Sequence, residues 1–287
     1  YEIEAVTGVQ TCALPIGTCS PKELIRLAYK TGVKAIALTD HDNIDGLHEA
    51  EIESIKLNVA FLNGIEISSL YEDGRILHIL GLGIDTRNKR FLEVYTKMKK
   101  AREEGVKGIL KVLEKKGIFI DIGVLKKNSL HKYLDRYDIH RYFISNGISN
   151  DSQYIWDQYL DPIAYERDEL LKAEDAIEII RVSGGLSFLA HYNKRIGFKG
   201  FNKFQIEENI KKLISLRLNG IERYYPSYSK TDIEYLDYLI NKYHLIPSGG
   251  TDFHGANRPE VSLGTGENGF YIPFSVYENI IEKLSHK

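Results

Sequence analysis

A short apolar run that ends in a cluster of ionisable residues is the feature that most limits how this chain can fold. In Ala35–Asp42 the apolar segment is followed directly by Thr39, Asp40, His41 and Asp42. Such a run is typical of a buried strand in a parallel α/β sheet. Ligands and catalytic groups collect at the C-terminal ends of these strands. The segment therefore predicts an α/β fold with a functional site at one edge of the sheet.

Other apolar segments along the chain also carry single ionisable side chains. These side chains are Glu66, His78, His191, Asp252 and His254. Each one alone is compatible with a structural histidine, a helix cap or a turn residue. Glu66, however, lies between two isoleucines, and burying an unpaired carboxylate costs several kcal/mol. Taken together, the positions favour one shared site over a series of unrelated buried polar groups.

Helix and strand patterns alternate on both sides of a helical middle section. Ser20, Pro21 and Glu23 have the spacing of a capping box with proline at the first helical position. A short strand is expected at 59–62. Helical periodicity then replaces the alternation, which indicates an insertion. The predicted parts are an α/β part at 1–90, a helical insertion at 91–182 and a second α/β part at 183–287.

Composition excludes several classes of protein. Charged residues make up 27% of the 287 residues and the net charge is -2, so binding to duplex DNA is not expected. No apolar run of about 18 residues is present, so no membrane span is expected. The first residues lack the pattern of a secretory signal. Cys12 and Cys19 cannot form a disulfide framework, and we predict a cytoplasmic protein.

The types of candidate ligand indicate metal chemistry. Imidazoles combined with carboxylates suit Zn, Mn or Fe better than Ca or Mg alone, and a carboxylate such as Glu66 can bridge two cations. Clustered metal ions activate water and neutralise charge on a phosphoryl group. Without metals, the same His and Asp residues would act as general acids and bases. The sequence contains no G-x-S-x-G motif for a serine nucleophile.

Five motifs in this chain, taken in order, resemble those of the polymerase-and-histidinol-phosphatase (PHP) family. They are T-D-H-D at 39–42, G-I-E-I-S at 64–68, H-I-L-G at 78–81, L-A-H at 189–191 and G-T-D-F-H-G at 250–255. The resemblance covers residues 17–275. It is strongest to the branch of 3′,5′-nucleoside bisphosphate phosphatases and 5′→3′ oligoribonucleotide exonucleases. It implies a distorted seven-stranded (β/α) barrel with a helical insertion and up to three divalent ions.

The resemblance also implies roles for individual residues. The implied metal ligands are His41, Glu66, His78, His191, Asp252 and His254. Asp40, His41 and Asp252 are the candidate catalytic residues, while Asp40 and Asp42 would orient ligating imidazoles. The segment 138–141 resembles the R-x-H-I-A segment of the family in degraded form. The candidate substrate contacts are His140, Arg141 and Arg195, since guanidinium groups match phosphate geometry, although solvated surface roles stay open for all three.

The opening motif of the family is missing from this sequence. Members of the family begin with a strand ending in D-x-H-x-H-S, whereas no histidine precedes His41 here. Val6–Ile16 instead resembles a translated sequencing-adapter fragment, and we interpret residues 1–16 as non-native. We therefore expect this chain to bind fewer ions than the family maximum and to be severely impaired in activity.

The resemblance predicts a metal-dependent phosphoesterase with a small phosphorylated substrate. The expected substrates are 3′,5′-bisphosphonucleosides or short single-stranded RNA with a 5′ phosphate. Two alternatives stay open. A histidinol-phosphate phosphatase would use the same chemistry, although the helical insertion argues against it. A non-catalytic PHP module would explain the missing first motif.

Overall fold

The computed structural model describes residues 8–11, 19–129, 132–166, 168–255, 261–264 and 270–286. Within these residues the chain forms eight strands and ten α-helices. The strands are β1 (Gly8–Thr11), β2 (Ala35–Leu38), β3 (Ala60–Leu70), β4 (Ile76–Leu82), β5 (Leu171–Lys172), β6 (Leu186–Leu189), β7 (Gly220–Tyr224) and β8 (Ile246–Gly249). The helices are α1 (Pro21–Lys30), α2 (Leu47–Leu57), α3 (Lys89–Lys115), α4 (Ile122–Asn128), α5 (Arg136–Ser145), α6 (Ser152–Ile155), α7 (Ala173–Val182), α8 (Lys203–Ser215), α9 (Lys230–Tyr243) and α10 (Phe274–Ser285).

The strands form one sheet whose neighbours follow the order β1-β2-β3-β4-β6-β7-β8, with β5 paired to β3. β4 runs antiparallel to both β3 and β6, whereas the other pairs are parallel. The two ends of this path, β1 and β8, approach each other. The parallel strands therefore present their C-terminal ends at one edge, and β4 reaches the same edge with its N-terminal half.

The first helix begins as its sequence predicts. The Ser20 backbone N–H donates to Glu23 Oε2 at 2.8 Å, and the Glu23 N–H donates to Ser20 Oγ at 3.2 Å. This capping box satisfies two amides that the first turn of a helix leaves unpaired. Leu24, Ile25 and Ala28 form the buried face of the helix. The structure therefore confirms the predicted helix start.

One expected strand boundary differs from the observed structure. The sequence predicts a strand at 59–62 followed by a separate segment that carries Glu66, whereas β3 is one continuous strand of 11 residues. β3 pairs with β2 through its first half and with β4 through its second half. β3 remains paired with β4 after its pairing with the short β2 has ended, so it continues as one strand. Glu66 therefore lies at the edge of the sheet where β2 ends.

The chain divides into two compact units. The first consists of Tyr1–Phe91 and Leu171–Lys287, and the second is Leu92–Leu170. In the first unit, Leu80, Leu82 and Phe188 belong to one buried cluster with Val276 and Ile280. The second unit is helical, with α4, α5, α6 and a π-helical turn at Trp156–Leu160 following α3, and has its own apolar core. Within the described residues, none of the helices has both the length and the apolar character of a membrane span.

A buried ion pair in the second unit yields a stability prediction. Lys99 Nζ lies 3.1 Å from Asp135 Oδ2, and both side chains are almost fully buried. Asp135→Asn should lower the free energy of unfolding by about 2 kcal/mol, because the buried ammonium then faces a neutral amide. Asparagine also caps helices well, so the N-terminus of α5 should be retained. Urea denaturation measures the effect. Combining the change with Lys99→Met should recover part of the loss, and a larger loss in the double variant would contradict this explanation.

Candidate metal centre

Backbone hydrogen bonds hold Glu66 beside the end of β2. His41 forms an isolated parallel bridge with Glu66. The Glu66 N–H donates to the Asp40 carbonyl at 3.1 Å, and the Asp42 N–H donates to the Glu66 carbonyl at 2.8 Å. The Asp42 carboxylate also accepts the Ser68 N–H at 2.8 Å. The pairing of β2 and β3 thus extends into the T-D-H-D motif and sets the position of Glu66.

Three imidazoles converge on the fully buried carboxylate of Glu66. Its Oε1 lies 2.8 Å from His78 Nδ1 and 3.2 Å from His191 Nε2, and these two nitrogens are 3.1 Å apart. Its Oε2 lies 3.2 Å from His41 Nδ1. The two carboxylate oxygens therefore face different histidines, which is the arrangement expected of a bridging ligand.

A second group of candidate ligands shares His41 with the first. Atoms of His41, Asp252 and His254 lie within 4.8 Å of one another, as do atoms of His41, Glu66 and His78. His254 Nδ1 donates to the Asp252 carbonyl at 2.7 Å, which leaves Nε2 of a neutral ring with its lone pair. Asp252 has a φ of 54°. With His191, whose Nε2 faces Glu66 Oε1, all six sequence-predicted ligands therefore lie in these two adjoining groups.

Burial and charge set the protonation of the centre. Burial lowers the pKa of His41 to about 4 in spite of the nearby Glu66. Burial also opposes a charge on His191, but the hydrogen bond and charge of Glu66 outweigh it and raise the pKa to about 9. Burial alone would raise the pKa of Glu66, whereas His41, His78 and the hydrogen bond to His191 hold it well below its usual range. The carboxylate is consequently ionised and His41 is neutral.

The hydrogen bonds of His191 test whether the site suits a cation. His191 Nδ1 donates to the Ile196 carbonyl at 3.0 Å, so Nε2 is the nitrogen that faces Glu66 Oε1, at 3.2 Å. Because the pKa of His191 is raised to about 9, Nε2 carries a proton at neutral pH. A divalent cation can take the place of that proton, since the deprotonated Nε2 and the carboxylate oxygen both offer lone pairs. Buried imidazoles and a carboxylate are ligands that Zn, Mn and Fe prefer, so the residues fit a divalent metal.

The other predicted site residues have different surroundings. Asp40 is buried, and its Oδ2 lies near Gly46 at the start of α2. Arg195 is exposed in the loop after His191. His140 and Arg141 belong to the second unit, where His140 Nε2 lies 2.9 Å from Ser152 Oγ and Arg141 pairs with Asp138. Contact of Arg195, His140 and Arg141 with a substrate stays a prediction.

Two further polar residues at this edge were not identified from sequence. Glu222, in β7, is fully buried, and burial raises its pKa to about 8 with further contributions from the Asp252 and Glu66 charges. Tyr225 follows the same strand, and its hydroxyl donates to Asp252 Oδ2 at 3.1 Å. Glu222 could have been identified by the same signal as Glu66, namely a carboxylate in a short apolar strand. Tyr225 left no comparable signal among 19 tyrosines.

Comparisons with known proteins agree with this architecture. The PHP domain family matches residues 9–225. A 5′-3′ exoribonuclease of Haemophilus influenzae is 35% identical over 61% of this chain, and the match spans 64% of that relative, just under two thirds of its length. A 3′,5′-nucleoside bisphosphate phosphatase of Chromobacterium violaceum is 28% identical over 88% of each chain.

A solved structure shows the same fold. The structure is of an amidohydrolase from Chromobacterium violaceum with bound sulfate and no metal, and it is 24% identical. It superposes with a TM-score of 0.79 and covers 98% of this chain and 96% of its own. The predicted α/β class with barrel-like strand order is therefore confirmed.

Proposed function

The chain belongs to the PHP domain family, and we propose that it is a metal-dependent phosphoesterase acting on small phosphorylated nucleotides. The observation that carries the proposal is the convergence of His41, His78 and His191 on the two oxygens of buried Glu66. Imidazole nitrogens facing an ionised carboxylate in a buried site form a donor set for divalent cations. Such a site is suited to phosphoryl chemistry, in which negative charge must be neutralised.

We propose which residues hold the ions. Glu66 Oε1, His78 and His191 would hold one, and Glu66 Oε2, His41, Asp252 and His254 would hold another. Mn, Zn and Fe suit these ligands. Bound ions supply Lewis acidity to a phosphoryl oxygen and to an attacking water. The chain itself fixes the ligands through the β2–β3 backbone bonds and through the Ile196 carbonyl, which sets the His191 tautomer. Among the described residues the candidate ligands form two adjoining groups, so we propose that the chain binds fewer ions than the family maximum of three.

The relatives narrow the proposed substrate. One is named a nucleoside bisphosphate phosphatase and another a 5′-3′ exoribonuclease, so both would act on phosphate esters of nucleotides. We propose 3′,5′-bisphosphonucleosides or 5′-phosphorylated short RNA as substrates of this chain. His140, Arg141 and Arg195 are the proposed phosphate contacts, because guanidinium groups and an imidazole N–H can donate hydrogen bonds to phosphate oxygens. We further propose a cytoplasmic location, which the lack of a disulfide framework supports.

Removal and return of metal test the proposal. The purified chain should hydrolyse 3′,5′-bisphosphoadenosine at a low rate, because the first metal-binding motif is missing. It should lose that activity after treatment with a chelator and recover it with Mn²⁺, Zn²⁺ or Fe²⁺. Phosphate release and metal content per chain are measured together. Histidinol phosphate and a 5′-phosphorylated oligonucleotide serve as comparison substrates. Full activity in chain freed of metal would contradict the proposal, and metal binding with no hydrolysis of any substrate would favour a non-catalytic module.

A further inference from the structure

Strand β7 contributes none of the six proposed metal ligands, yet its C-terminal end lies against them. Three polar side chains on β7 and the turn after it, Glu222, Tyr225 and Tyr228, form hydrogen bonds to the segments that carry ligands. All three side chains are buried. A buried polar side chain needs a partner, and here the partners belong to the neighbouring ligand-bearing segments.

The backbone N–H groups around His191 show what these side chains do. The Ala190 N–H donates to the His78 carbonyl of β4 at 3.1 Å. The His191 N–H instead donates to Glu222 Oε2 at 2.7 Å, and the Tyr192 N–H donates to the Tyr228 hydroxyl at 3.1 Å. Buried amides need acceptors. Beyond the C-terminal end of β6, the side chains of Glu222 and Tyr228 are these acceptors.

The conformation of His191 makes this support necessary. Its φ is 23°, a left-handed value that residues other than glycine adopt only when their surroundings hold them there. The ring is fixed on its outer side by the Ile196 carbonyl and faces Glu66 with Nε2. The Glu222 carboxyl group is fully buried and accepts the His191 N–H at 2.7 Å, so it is well placed to fix the backbone from which the imidazole projects.

We propose that Glu222, with Tyr228 as its neighbour, is a positioning residue that fixes the backbone of His191 and so aims Nε2 at the proposed metal centre. The inference rests on the proposed function, because it concerns a ligand of that centre. Glu222 acts through the amide of His191 and not through contact with substrate. Loss of its acceptor oxygen should leave the backbone amide unpaired and let the imidazole move away from Glu66.

Co²⁺ binding to the full chain tests the inference. Glu222→Leu removes the acceptor at similar volume, whereas Glu222→Gln retains an amide oxygen that can accept the His191 N–H. We expect the leucine variant to bind Co²⁺ about 10-fold to 100-fold more weakly, with an altered visible Co²⁺ spectrum. We expect the glutamine variant to stay within about threefold of the parent. Glu207→Gln, on α8 and paired with Lys242, is the matched control and should have no effect.

Three results would overturn the inference. They are parental Co²⁺ affinity in the leucine variant, equal weakening by glutamine and leucine, and a leucine variant that binds weakly with an unchanged Co²⁺ spectrum. If Glu222→Leu does not fold, as thermal unfolding would show, Tyr228→Phe carries the test. That variant removes the acceptor of the next amide but keeps the ring, so Co²⁺ binding should weaken about threefold. Unchanged binding would overturn the inference.

The readout separates this inference from the proposed function. Co²⁺ affinity does not require turnover, so a parent chain that hydrolyses phosphate esters but whose variants bind Co²⁺ normally contradicts the inference alone. A parent chain that binds Co²⁺ through a Glu222-dependent site without hydrolysing any tested ester contradicts the proposed function alone. A parent chain that binds no Co²⁺ contradicts both.

Discussion

Replacing Glu66 with glutamine should lower kcat/KM for phosphomonoester hydrolysis by at least about 100-fold, because even indirect supports of metal ligands often account for 10-fold to 100-fold. Glu66 is fully buried, and its two oxygens face three imidazoles. Glutamine has nearly the same shape but supplies one neutral oxygen and one NH₂ donor. The NH₂ group of the glutamine would point at imidazole nitrogens that should bind a cation. Metal content per chain should fall with the activity.

Glu53→Gln is the matched control for this change. Glu53 is also a buried carboxylate of the first unit, but it lies in α2 and pairs with Arg26 of α1 at 2.6 Å. Its replacement should leave kcat/KM and metal content within about twofold of the parent, since only ligands and their supports tune the metal. Metal analysis and steady-state kinetics are carried out on the same preparations. A Glu66→Gln protein that retains parental metal content and activity would remove the basis for placing the ions at this carboxylate.

Gly220→Ala should lower the free energy of unfolding by about 3 kcal/mol, the upper part of the range for overpacking in a core. Gly220 lies in β7 between β6 and β8, paired with Phe188 on one side and Ile246 on the other. A Cβ at this position would overlap the Ile246 carbonyl oxygen and the Phe188 ring. The carbonyl belongs to the backbone of a paired strand, so relief requires that the sheet shift. Equilibrium urea denaturation measures the loss.

The same substitution in a helix is its control. Gly108 lies in α3, and a Cβ there would meet no atom within 4 Å other than the adjacent backbone of its own helix. Gly108→Ala should raise the free energy of unfolding by about 0.5–1 kcal/mol, because alanine loses less conformational entropy in a helix. The two variants are thus expected to change the free energy of unfolding in opposite directions, although each adds one methyl group. Equal effects in urea denaturation would show that local space does not determine the outcome.

The candidate ligands at the strand ends could be predicted from the sequence, because an ionisable residue within an apolar run is a local sign of a buried polar group. Glu66 lies between isoleucines and His78 lies within an apolar run, and both are buried in adjacent strands. Ser20 and Glu23 likewise have a spacing that only a helix start satisfies in both directions. In each case the physical cause acts over a few residues, so the pattern is visible in the chain itself.

Features that depend on contacts between distant segments were not predictable in the same way. Glu222 is joined to His191 across 31 residues, and no spacing rule indicates which backbone amide a carboxylate will accept. The continuity of β3 depends on its different neighbours on the two sides, which sequence alone does not specify. The contact of His140 with Ser152, which lies beyond the end of α5, was equally hidden, whereas Asp138 and Arg141 have the i,i+3 spacing of neighbours on one helix.

The helical unit lies in the chain between two sets of proposed ligands, and this order affects when the metal centre can form during protein synthesis. The proposed ligands on β3 and β4 precede that unit, whereas His191, Asp252 and His254 are translated after it. A nascent chain that has just exposed the helical unit carries only three of the six ligands. Domains generally fold as units during synthesis, so the helical unit can fold first while the centre is still incomplete. The ligand group of His41, Asp252 and His254 is therefore completed only at the last stage of synthesis, when Asp252 and His254 have left the ribosome.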